Sequence, residues 1–370
     1  MKKITISKEQ YKSALNSLKM SVFALIFALL VGAVIIRFIG FSPLEIYKAI
    51  FVGSFGTQKG LVLALSQATP LIFSGLAFAI AFKVRMINTG AEGQLHLGAM
   101  ASALVGYYVV GLPSAIHVTL ALAAGALVGF LVGLLVAYLK VRFGASEIIL
   151  TLMLNQIFIL LTSYLCNGPF LAKGAQITQT EAIQESARLA KLAPRSQLTI
   201  ALLVAVGIAI LLQILLTKTA LGYEMQVTGS NIGSAKTAGI NVGKVYMITF
   251  ALSCAVAALC GSSFALGVNG RFLEGFSNNS GFAGISVAAL AAYNPIGVVL
   301  SALLFGGLKA GAMTLNRTTM IPIEIIDVIQ ALVVVFVAAP RLIGAILGIW
   351  EKFRPGKTPE SMTPGTTPAD

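Results

Sequence analysis

The stretch IHVTLALAAGALVGFLVGLLVAYL occupies residues 116–139 and contains no Asp, Glu, Lys or Arg. As an α-helix it is long enough to cross the hydrocarbon core of a bilayer, which is about 30 Å thick. Gly125, Gly129 and Gly133 recur every four residues and therefore lie on one face of that helix. Because small residues let two helices in lipid approach closely, we expect this face to pack against another helix.

Further apolar stretches fill most of the remaining chain. Charged residues make up only 11% of it and the mean hydropathy is +0.90, which is far too apolar for a soluble domain of 370 residues. The sequence therefore predicts an all-α fold, a polytopic transmembrane helix bundle of about 10 membrane segments. The stretch 281–293 is too short to cross upright, so we expect a short or broken helix that either crosses or re-enters. The other stretches are 20–39, 60–81, 94–111, 147–166, 197–216, 246–267, 296–314 and 322–339.

Positive charge is distributed unevenly between the connections. The chain has 26 Lys and Arg against 13 Asp and Glu, and the basic residues are concentrated in segments on the same side as the N-terminus. By the positive-inside rule both termini are expected in the cytoplasm, and the net charge of +13 requires no nucleic-acid partner. The predicted organisation is a basic cytoplasmic N-terminus (1–19), a transmembrane domain (20–340) with an extracellular loop (167–196) and a cytoplasmic loop (217–245), and a cytoplasmic tail (341–370) that is disordered after residue 350.

The stretch Asn88-Thr89-Gly90-Ala91-Glu92-Gly93-Gln94 interrupts the apolar sequence with two glycines, a carboxylate and two amides. Polar, glycine-containing backbone at membrane depth is stable only where it is buried in protein or lines a wet cavity. A helix that begins near Gly93 would direct free N–H groups and a partial positive charge into such a cavity. Asn88, Glu92 and Gln94 are therefore candidates for lining a substrate pathway or for a hinge. An ordinary cytoplasmic turn is the alternative, because basic residues lie just upstream.

The apolar stretch 147–166 carries a polar stripe. Glu147, Thr151 and Asn155 are spaced four residues apart and share one helix face. Such a stripe on an otherwise apolar helix is expected to face the interior of the bundle. There Thr151 and Asn155 would either contact a polar substrate in the pathway or form hydrogen bonds between helices.

The loop between 197–216 and 246–267 is rich in small and polar residues. Asn231 is a suitable N-cap, and a short helix can run from Ile232 to Ala238 and end at Gly239. Small side chains leave its backbone open to close contact, so we interpret it as a docking site for a cytoplasmic partner, with a simple surface helix as the alternative. The residues assigned to this coupling role are Gly229, Asn231, Gly233, Ala235, Ala238, Gly239 and Asn241.

The chain lacks the usual signatures of catalysis. The stretch Gly239 to Lys244 does not fit a phosphate-binding loop, since three residues instead of four separate its glycines and Val245 follows the lysine. The histidines and cysteines fit no catalytic or metal-site spacing. We therefore expect no enzymatic activity, no catalytic residue, no metal site and no cofactor bound by this chain. Gly307 and Gly311 repeat the four-residue spacing and are assigned to helix packing.

Four stretches together carry a family resemblance. They are Asn88–Gln94, Thr151–Asn155, Gly229–Asn241 and Gly281–Gly311, of which the last contains GISVAAL, Asn-Pro and LFGG. In them the chain resembles permease subunits of bacterial ATP-binding-cassette importers of the branched-chain amino acid and simple-sugar class, and it is most similar to nucleoside uptake permeases. One departure is Gln156, where the family pattern has an aromatic residue after the asparagine.

The resemblance implies a larger transport machine in the bacterial cell membrane. A second, homologous permease subunit would pair with this chain as a heterodimer, and cytoplasmic ABC ATPases, which bind the ATP, would dock on the cytoplasmic loop. An extracellular or periplasmic substrate-binding lipoprotein would deliver the ligand to the loop 167–196, in which we interpret Gln179–Leu192 as an amphipathic helix. The function implied is import of nucleosides by alternating access.

Two other interpretations of the function remain open. Simple sugars or branched-chain amino acids are alternative substrates for a permease of the same class. An ion-coupled secondary transporter is an alternative of another class, and it would use Glu92 or Asp327 as a proton or sodium site. Uptake driven by an ion gradient in the absence of any ATPase would distinguish this second alternative.

Overall fold

The computed structural model describes residues 26–27, 29–38, 40–319 and 328, and this part of the chain is helical with isolated β-bridges and no strand. Six of its helices are long and apolar enough to cross a membrane. The N-terminal segment 1–19, the predicted span 322–339 except residue 328, Asp327 and the tail 341–370 lie outside the described residues. The six helices are Gln58–Phe82, Ser114–Phe143, Glu147–Asn167, Ala201–Lys218, Val242–Asn269 and Pro295–Asn316.

The helices follow one another through short connections. In chain order they are α1 (Leu29–Phe38), α2 (Pro43–Phe55), α3 (Gln58–Phe82), α4 (Ala91–Tyr108), α5 (Ser114–Phe143), α6 (Glu147–Asn167), α7 (Ala201–Lys218), α8 (Ala220–Ser230), α9 (Ile232–Thr237), α10 (Val242–Ser263), α11 (Ser280–Leu290) and α12 (Pro295–Thr319). We call the end of the bundle that carries α9 the α9 end. The turn after α3 lies at this end because Lys83 contacts α8. The end of α5 lies there too, because its Val141 contacts Gly243 at the start of α10.

The predicted number of about 10 membrane segments is not confirmed. The described residues contain six long apolar helices. The count is seven if α1 and α2, which are bent by 120° relative to each other, are taken together as one broken span. The bend is held by a hydrogen bond of 2.7 Å from the Tyr47 hydroxyl to the Leu29 carbonyl. The helices α4 and α11 occupy the predicted stretches 94–111 and 281–293 but are not among the six.

Helix α10 is the centre of the bundle and packs against α3, α4 and α5. The structure places Gly125, Gly129 and Gly133 of α5 against it, and each is buried. A Cβ atom on Gly129 would lie 2.5 Å from the Cβ of Ala258, and one on Gly133 would lie 2.6 Å from the Cα of Ala251. The two helix backbones therefore touch, which supplies the close packing that helices in lipid need.

Small residues also join α10 to α4, and α12 to its neighbours. A Cβ on Gly98 of α4 would overlap the Ala258 carbonyl, and one on Gly261 of α10 would overlap the Leu95 carbonyl. In α12, Gly307 lies under the ring of Phe55 and Gly311 lies against Ile50, so both glycines assigned to packing face α2. These contacts leave little freedom for α4 and α12 to slide along their partners.

The connection between α10 and α11 contains no α-helix. The last turn of α10 continues as a π-helix, Phe264–Asn269, and the chain then runs irregularly through 270–279. The segment pairs with residues 178–183 through three backbone hydrogen bonds of 2.9 to 3.1 Å, which are Thr180 N to Phe272 O, Ile183 N to Gly270 O and Glu274 N to Thr178 O.

These bonds explain why the predicted amphipathic helix Gln179–Leu192 is wrong. Only Glu185–Ala187 in it is helical, and that is a single 3₁₀ turn. Backbone groups that an isolated helix would satisfy internally are bonded instead to the segment 270–279, and Gln184 donates its N–H to the Gly106 carbonyl at 2.8 Å. Tertiary pairing therefore overrides the local helical pattern.

Helix α11 is the inner half of a broken crossing. The segment before it is fixed at the end opposite α9, where Asn167, the last residue of α6, hydrogen-bonds the Glu274 carboxylate. The Ser163 hydroxyl also donates to this carboxylate. At the α9 end, Tyr293 after α11 stacks on Phe82 at 3.7 Å between ring centroids. The irregular segment and α11 together therefore cross the bundle.

We predict that Gly129→Val destabilises the protein and that Gly207→Val does not. A valine at 129 would overpack the contact with α10, at a cost of about 1–3 kcal/mol. Gly207 lies in α7 with no heavy atom within 4 Å of a built Cβ, so it is a control of the same kind in another membrane helix. Thermal unfolding of the purified chains in detergent measures the difference. Equal melting temperatures for the two variants would show that the α5–α10 contact is not a close one.

Candidate functional site

The connection between α3 and α4 folds back into the bundle. Helix α3 ends at Phe82, yet Asn88 is completely buried and its Nδ2 donates to Ser253 Oγ at 3.0 Å, near the middle of α10. Ser253 Oγ in turn donates to the Ala77 carbonyl at 2.7 Å. The residues 83–90 therefore form a loop that enters the interior from the α9 end, and α4 begins deep inside the protein.

Two amide side chains hold this loop to the start of α4. Asn88 Nδ2 donates to Gln94 Oε1 at 2.9 Å, and Gln94 Nε2 donates to Asn88 Oδ1 at 2.8 Å. The pair is reciprocal, so each amide satisfies the donor and the acceptor of the other. Both side chains are buried, and such a closed pair is the arrangement that makes amides tolerable away from water.

Glu92 in the first turn of α4 joins that helix to α11. Its Oε2 accepts the backbone N–H of Gly281 at 2.7 Å, and the N–H of Phe282 and the hydroxyl of Ser277 lie near the same carboxylate. Gly281 and Phe282 belong to the first turn of α11, where an N–H group has no acceptor within its own helix. A negative charge at the N-termini of two helices is favoured by both dipoles.

Other charged or ionisable groups surround this carboxylate. His96 Nε2 lies 3.9 Å from Glu92 Oε1, one helical turn further along α4. Lys309 of α12 is close enough to attract the carboxylate electrostatically. The carboxylate of Glu92, which is 3% exposed, is therefore bonded by the first turn of α11 and attracted by Lys309 of α12.

Helix α6 contacts the same place through its polar stripe. The N–H of Gly93 donates to Asn155 Oδ1, and the hydroxyls of Thr89 and Thr151 share a hydrogen bond of 2.7 Å. Gly93 is required for this approach, because a Cβ there would come within 2.8 Å of the Cα of Asn155. Thr151 and Asn155 are 1% and 3% exposed, so the stripe faces the bundle interior.

The structure thus brings the predicted pathway residues together in one cluster. We call it the central polar cluster and define it as Asn88, Glu92, Gln94, Thr151 and Asn155. All of its members are buried and bonded within the chain. Among the residues that the structure describes, none of its side-chain nitrogen or oxygen atoms is buried without a partner. Its role in lining a substrate pathway stays a prediction.

Sequence reasoning missed several groups around the cluster. Ser253 lies in an apolar stretch, Ser277 lies in a connection outside the predicted spans, and His96 is close to aromatic rings that are distant in sequence. The ring centroid of His96 is 5.1 Å from that of Phe276 and 6.1 Å from that of Phe272. Only the odd occurrence of a histidine in an apolar helix could have indicated this packing.

Two cavities lie beside the N-terminal half of α3. One is an open cavity of about 1080 Å³ between α2, α3, α12 and residues 193–197. The other is a narrow cavity of about 30 Å³ between α3, the start of α7 and the π-helix, and both are lined by Ser66 and Gln197. No member of the central polar cluster is among the lining residues of either cavity.

The structure confirms the short helix predicted between α7 and α10. It is α9, Ile232–Thr237, with Asn231 Oδ1 accepting the Ser234 N–H at 3.1 Å and Gly239 at φ +76° just after it. Asn241 in turn caps α10 through the Lys244 N–H at 3.1 Å. Of the residues assigned to docking, those exposed to solvent are Asn231, Gly233, Ala238, Gly239 and Asn241.

Two of the assigned docking residues face the chain itself. Ala235 is completely buried, and Gly229 lies directly on the backbone of Lys83, where a Cβ would overlap the Lys83 carbonyl. Ala235 and Gly229 therefore hold α8 and α9 to the bundle, while Ala238 presents an open surface. A substitution at Ala235 would test packing, whereas one at Ala238 would test docking.

The sequence matches known transport proteins over most of its length. A family model described as the permease component of the branched-chain amino acid transport system matches residues 60–338. The guanosine ABC transporter permease protein NupP of Bacillus subtilis is 34% identical over 342 residues, which are 91% of this chain and 98% of that protein.

Two further relatives have similar degrees of identity to this chain. The nucleoside ABC transporter permease protein NupB of Lactococcus lactis is 29% identical and covers 88% of this chain and 91% of its own length. The glucose ABC transporter permease protein TsgB13 of Haloferax volcanii is 33% identical over 85% of each chain. With its multi-pass apolar helices, this chain therefore belongs to the family of permease components of the branched-chain amino acid transport system, which are membrane transport proteins and not enzymes.

Proposed function

We propose that this chain is the permease subunit of an ATP-binding-cassette importer that carries nucleosides across the cell membrane. The similarity to NupP carries this proposal, because it extends over 91% of the chain at 34% identity and that relative is named for guanosine. NupB, which is named for nucleosides, supports the same substrate class.

Sugars are the second candidate substrate. The Haloferax glucose permease is 33% identical, which is nearly as high, but it covers less of this chain than NupP does. Nucleosides and sugars are both neutral solutes rich in hydroxyl groups, so the same weakly polar interior suits either. We favour nucleosides because two relatives of high coverage are named for them.

The energy is proposed to come from separate cytoplasmic ATPases, which bind the ATP, so this chain needs no cofactor. The exposed face of α9 is the proposed docking site, since its small side chains allow a partner to approach its backbone closely. The concentration of basic residues on the side of the N-terminus supports a cytoplasmic location for α9, both termini and the loop 217–245. The loop 167–196 then faces outward, where a substrate-binding lipoprotein would dock.

A second permease subunit is proposed to complete the pathway. NupP and NupQ are both guanosine permease proteins of Bacillus subtilis, and NupB and NupC are both nucleoside permease proteins of Lactococcus lactis. This chain matches both members of each pair, though NupQ and NupC match only 65% of it. We therefore infer a heterodimer of this chain with a shorter homologue.

In the proposed mechanism the central polar cluster is closed in one conformation and open in the other. Glu92 holds the N-termini of α4 and α11 together in the structure described. Closure of the ATPases would move α8 and α9, part these helix ends and expose Asn88, Gln94, Thr151 and Asn155 to a passing solute. Such a pathway needs weak binding, because tight binding would favour one conformation over the other.

Reconstituted uptake tests the function. We predict that proteoliposomes containing the two permeases, the ATPases and the binding protein take up radiolabelled guanosine only when ATP reaches the ATPases. Uptake should persist when ionophores remove all ion gradients. Uptake by this chain alone, driven by a proton or sodium gradient, would instead support the ion-coupled transporter. Glucose at a hundredfold excess is the control for substrate class and should not compete.

A tryptophan at Ala238 should prevent ATPase binding. This residue is exposed at the end of α9, so the bulky side chain blocks a partner without disturbing the bundle. Co-purification of the ATPases with the tagged permease should be lost, while membrane insertion and thermal stability are unchanged. Lys173→Trp, in the loop at the other end, is the matched control and should retain the ATPases. Full ATPase recovery with Ala238→Trp would remove α9 from the docking site.

Replacing Glu92 by Gln should reduce both stability and transport. The amide keeps the shape of the side chain but turns one acceptor into a donor that faces the N–H groups of α11. An unsatisfied buried donor costs about 1–3 kcal/mol, so a lower melting temperature is expected together with at least tenfold slower uptake. Glu45→Gln, which changes an exposed carboxylate of α2, is the control. Unchanged stability in Glu92→Gln would show that the contact with α11 contributes little.

A further inference from the structure

The turn at the end of α3 has an unusual residue at its key position. The Arg85 N–H donates to the Phe82 carbonyl at 3.0 Å, and the Met86 N–H donates to the Ala81 carbonyl at 3.2 Å. This is the hydrogen-bond pattern of a Schellman motif, in which the residue after the helix takes a left-handed conformation and is usually glycine. Here that residue is Arg85, at φ +57°.

An arginine in this conformation carries a cost. The left-handed region is disfavoured for a residue with a Cβ, whereas glycine adopts it without strain. Strain of this kind persists where the surrounding structure requires that side chain, and it is a reason to look for a function.

The Arg85 side chain reaches the docking region. Its Nε donates to the Gly229 carbonyl at 2.8 Å. Gly229 lies in the last turn of α8, where a carbonyl lacks a helical partner and a cation is favoured by the helix dipole. Gly229 also lies directly on the Lys83 carbonyl, with no room for a Cβ. The end of α8 and the turn 83–86 are therefore fixed to each other by two adjacent contacts.

The two sides of this contact lead to the two functional regions. On one side, Asn231 follows Gly229 by two positions and caps α9. On the other, Asn88 follows Arg85 by three positions and binds Gln94 and Ser253 in the interior. Arg85 therefore links the docking helix α9 to the central polar cluster through one hydrogen bond and a short stretch of backbone.

We propose that Arg85 is a positioning residue that transmits movement of α9 to the N-termini of α4 and α11. The proposal rests on the proposed function, in which ATPases move α9. When α8 and α9 shift, the hydrogen bond to Gly229 pulls the turn 83–86, and the turn displaces Asn88 and the first turn of α4. Without the guanidinium only the packing of Gly229 on Lys83 remains, which cannot pull the turn, so α9 can move away while the cluster stays in place.

Arg85→Gly tests this role without breaking the turn. Glycine suits the left-handed position, so the variant should be at least as stable as the wild type while it lacks the bond to Gly229. Arg85→Lys retains the charge but not the Nε donor. Arg142→Ala, which removes another exposed cation at the same end of the bundle, is the matched control.

Two measurements on the complete complex distinguish the outcomes. In proteoliposomes, Arg85→Gly should still bind the ATPases and hydrolyse ATP, but guanosine carried per ATP should fall at least tenfold, with a smaller fall for Arg85→Lys and none for Arg142→Ala. In hydrogen exchange, a non-hydrolysable ATP analogue should change the exchange of residues 86–94 in the wild type but not in Arg85→Gly.

Three results would overturn the proposal. They are an unchanged ratio of guanosine to ATP in Arg85→Gly, an unchanged exchange response of residues 86–94, and loss of the ATPases from the complex, which would make Arg85 a direct docking contact. Failure of the proposed function is a separate result. It would be seen as absent ATP-driven guanosine uptake by the wild type, and the exchange measurement, which needs no solute, would still decide the role of Arg85.

Discussion

The hydrogen bond from the Gly281 N–H to the Glu92 carboxylate is the contact on which the interior of this protein depends. A carboxylate with 3% exposure is stable only when donors compensate its charge, and the free N–H groups at the start of α11 need an acceptor. The N–H group therefore stabilises the buried carboxylate, and the carboxylate supplies the acceptor that the N–H group needs. Because α4 starts inside the bundle and α11 is only 11 residues long, this contact fixes where the two helices begin relative to each other.

Close packing around α10 holds these helix ends at a fixed place. Glycines of α4, α5 and α10 bring the backbones into contact, so the interior offers little room for small adjustments. A rigid surround of this kind favours two discrete arrangements over a continuous series. The loop 83–90 enters this surround from the α9 end, and it is the natural route by which a force applied outside the membrane reaches the helix ends.

The sequence predicts the features that local pattern decides. Long apolar stretches give the spanning helices, the spacing of Gly125, Gly129 and Gly133 gives a packing face, and Asn231 with Gly239 gives α9.

Features that depend on distant partners could not be predicted. Gln179–Leu192 has a helical pattern, but its backbone pairs with residues 270–274. Arg85 looks like an ordinary basic residue after a membrane span, and only the structure shows its left-handed conformation and its bond to Gly229. The five cluster residues were identified by type and spacing, whereas their partners Ser253 and Ser277 were not.

Hydrogen exchange at the start of α11 tests the central claim most directly. The complete complex would be compared with and without a non-hydrolysable ATP analogue, and the peptide covering residues 280–290 followed by mass spectrometry. Our account predicts slow exchange of the Gly281 amide at rest, because Glu92 accepts its N–H, and faster exchange when the ATPases close. Equal protection in the two states, in a complex that transports its solute, would contradict the claim that the helix ends separate.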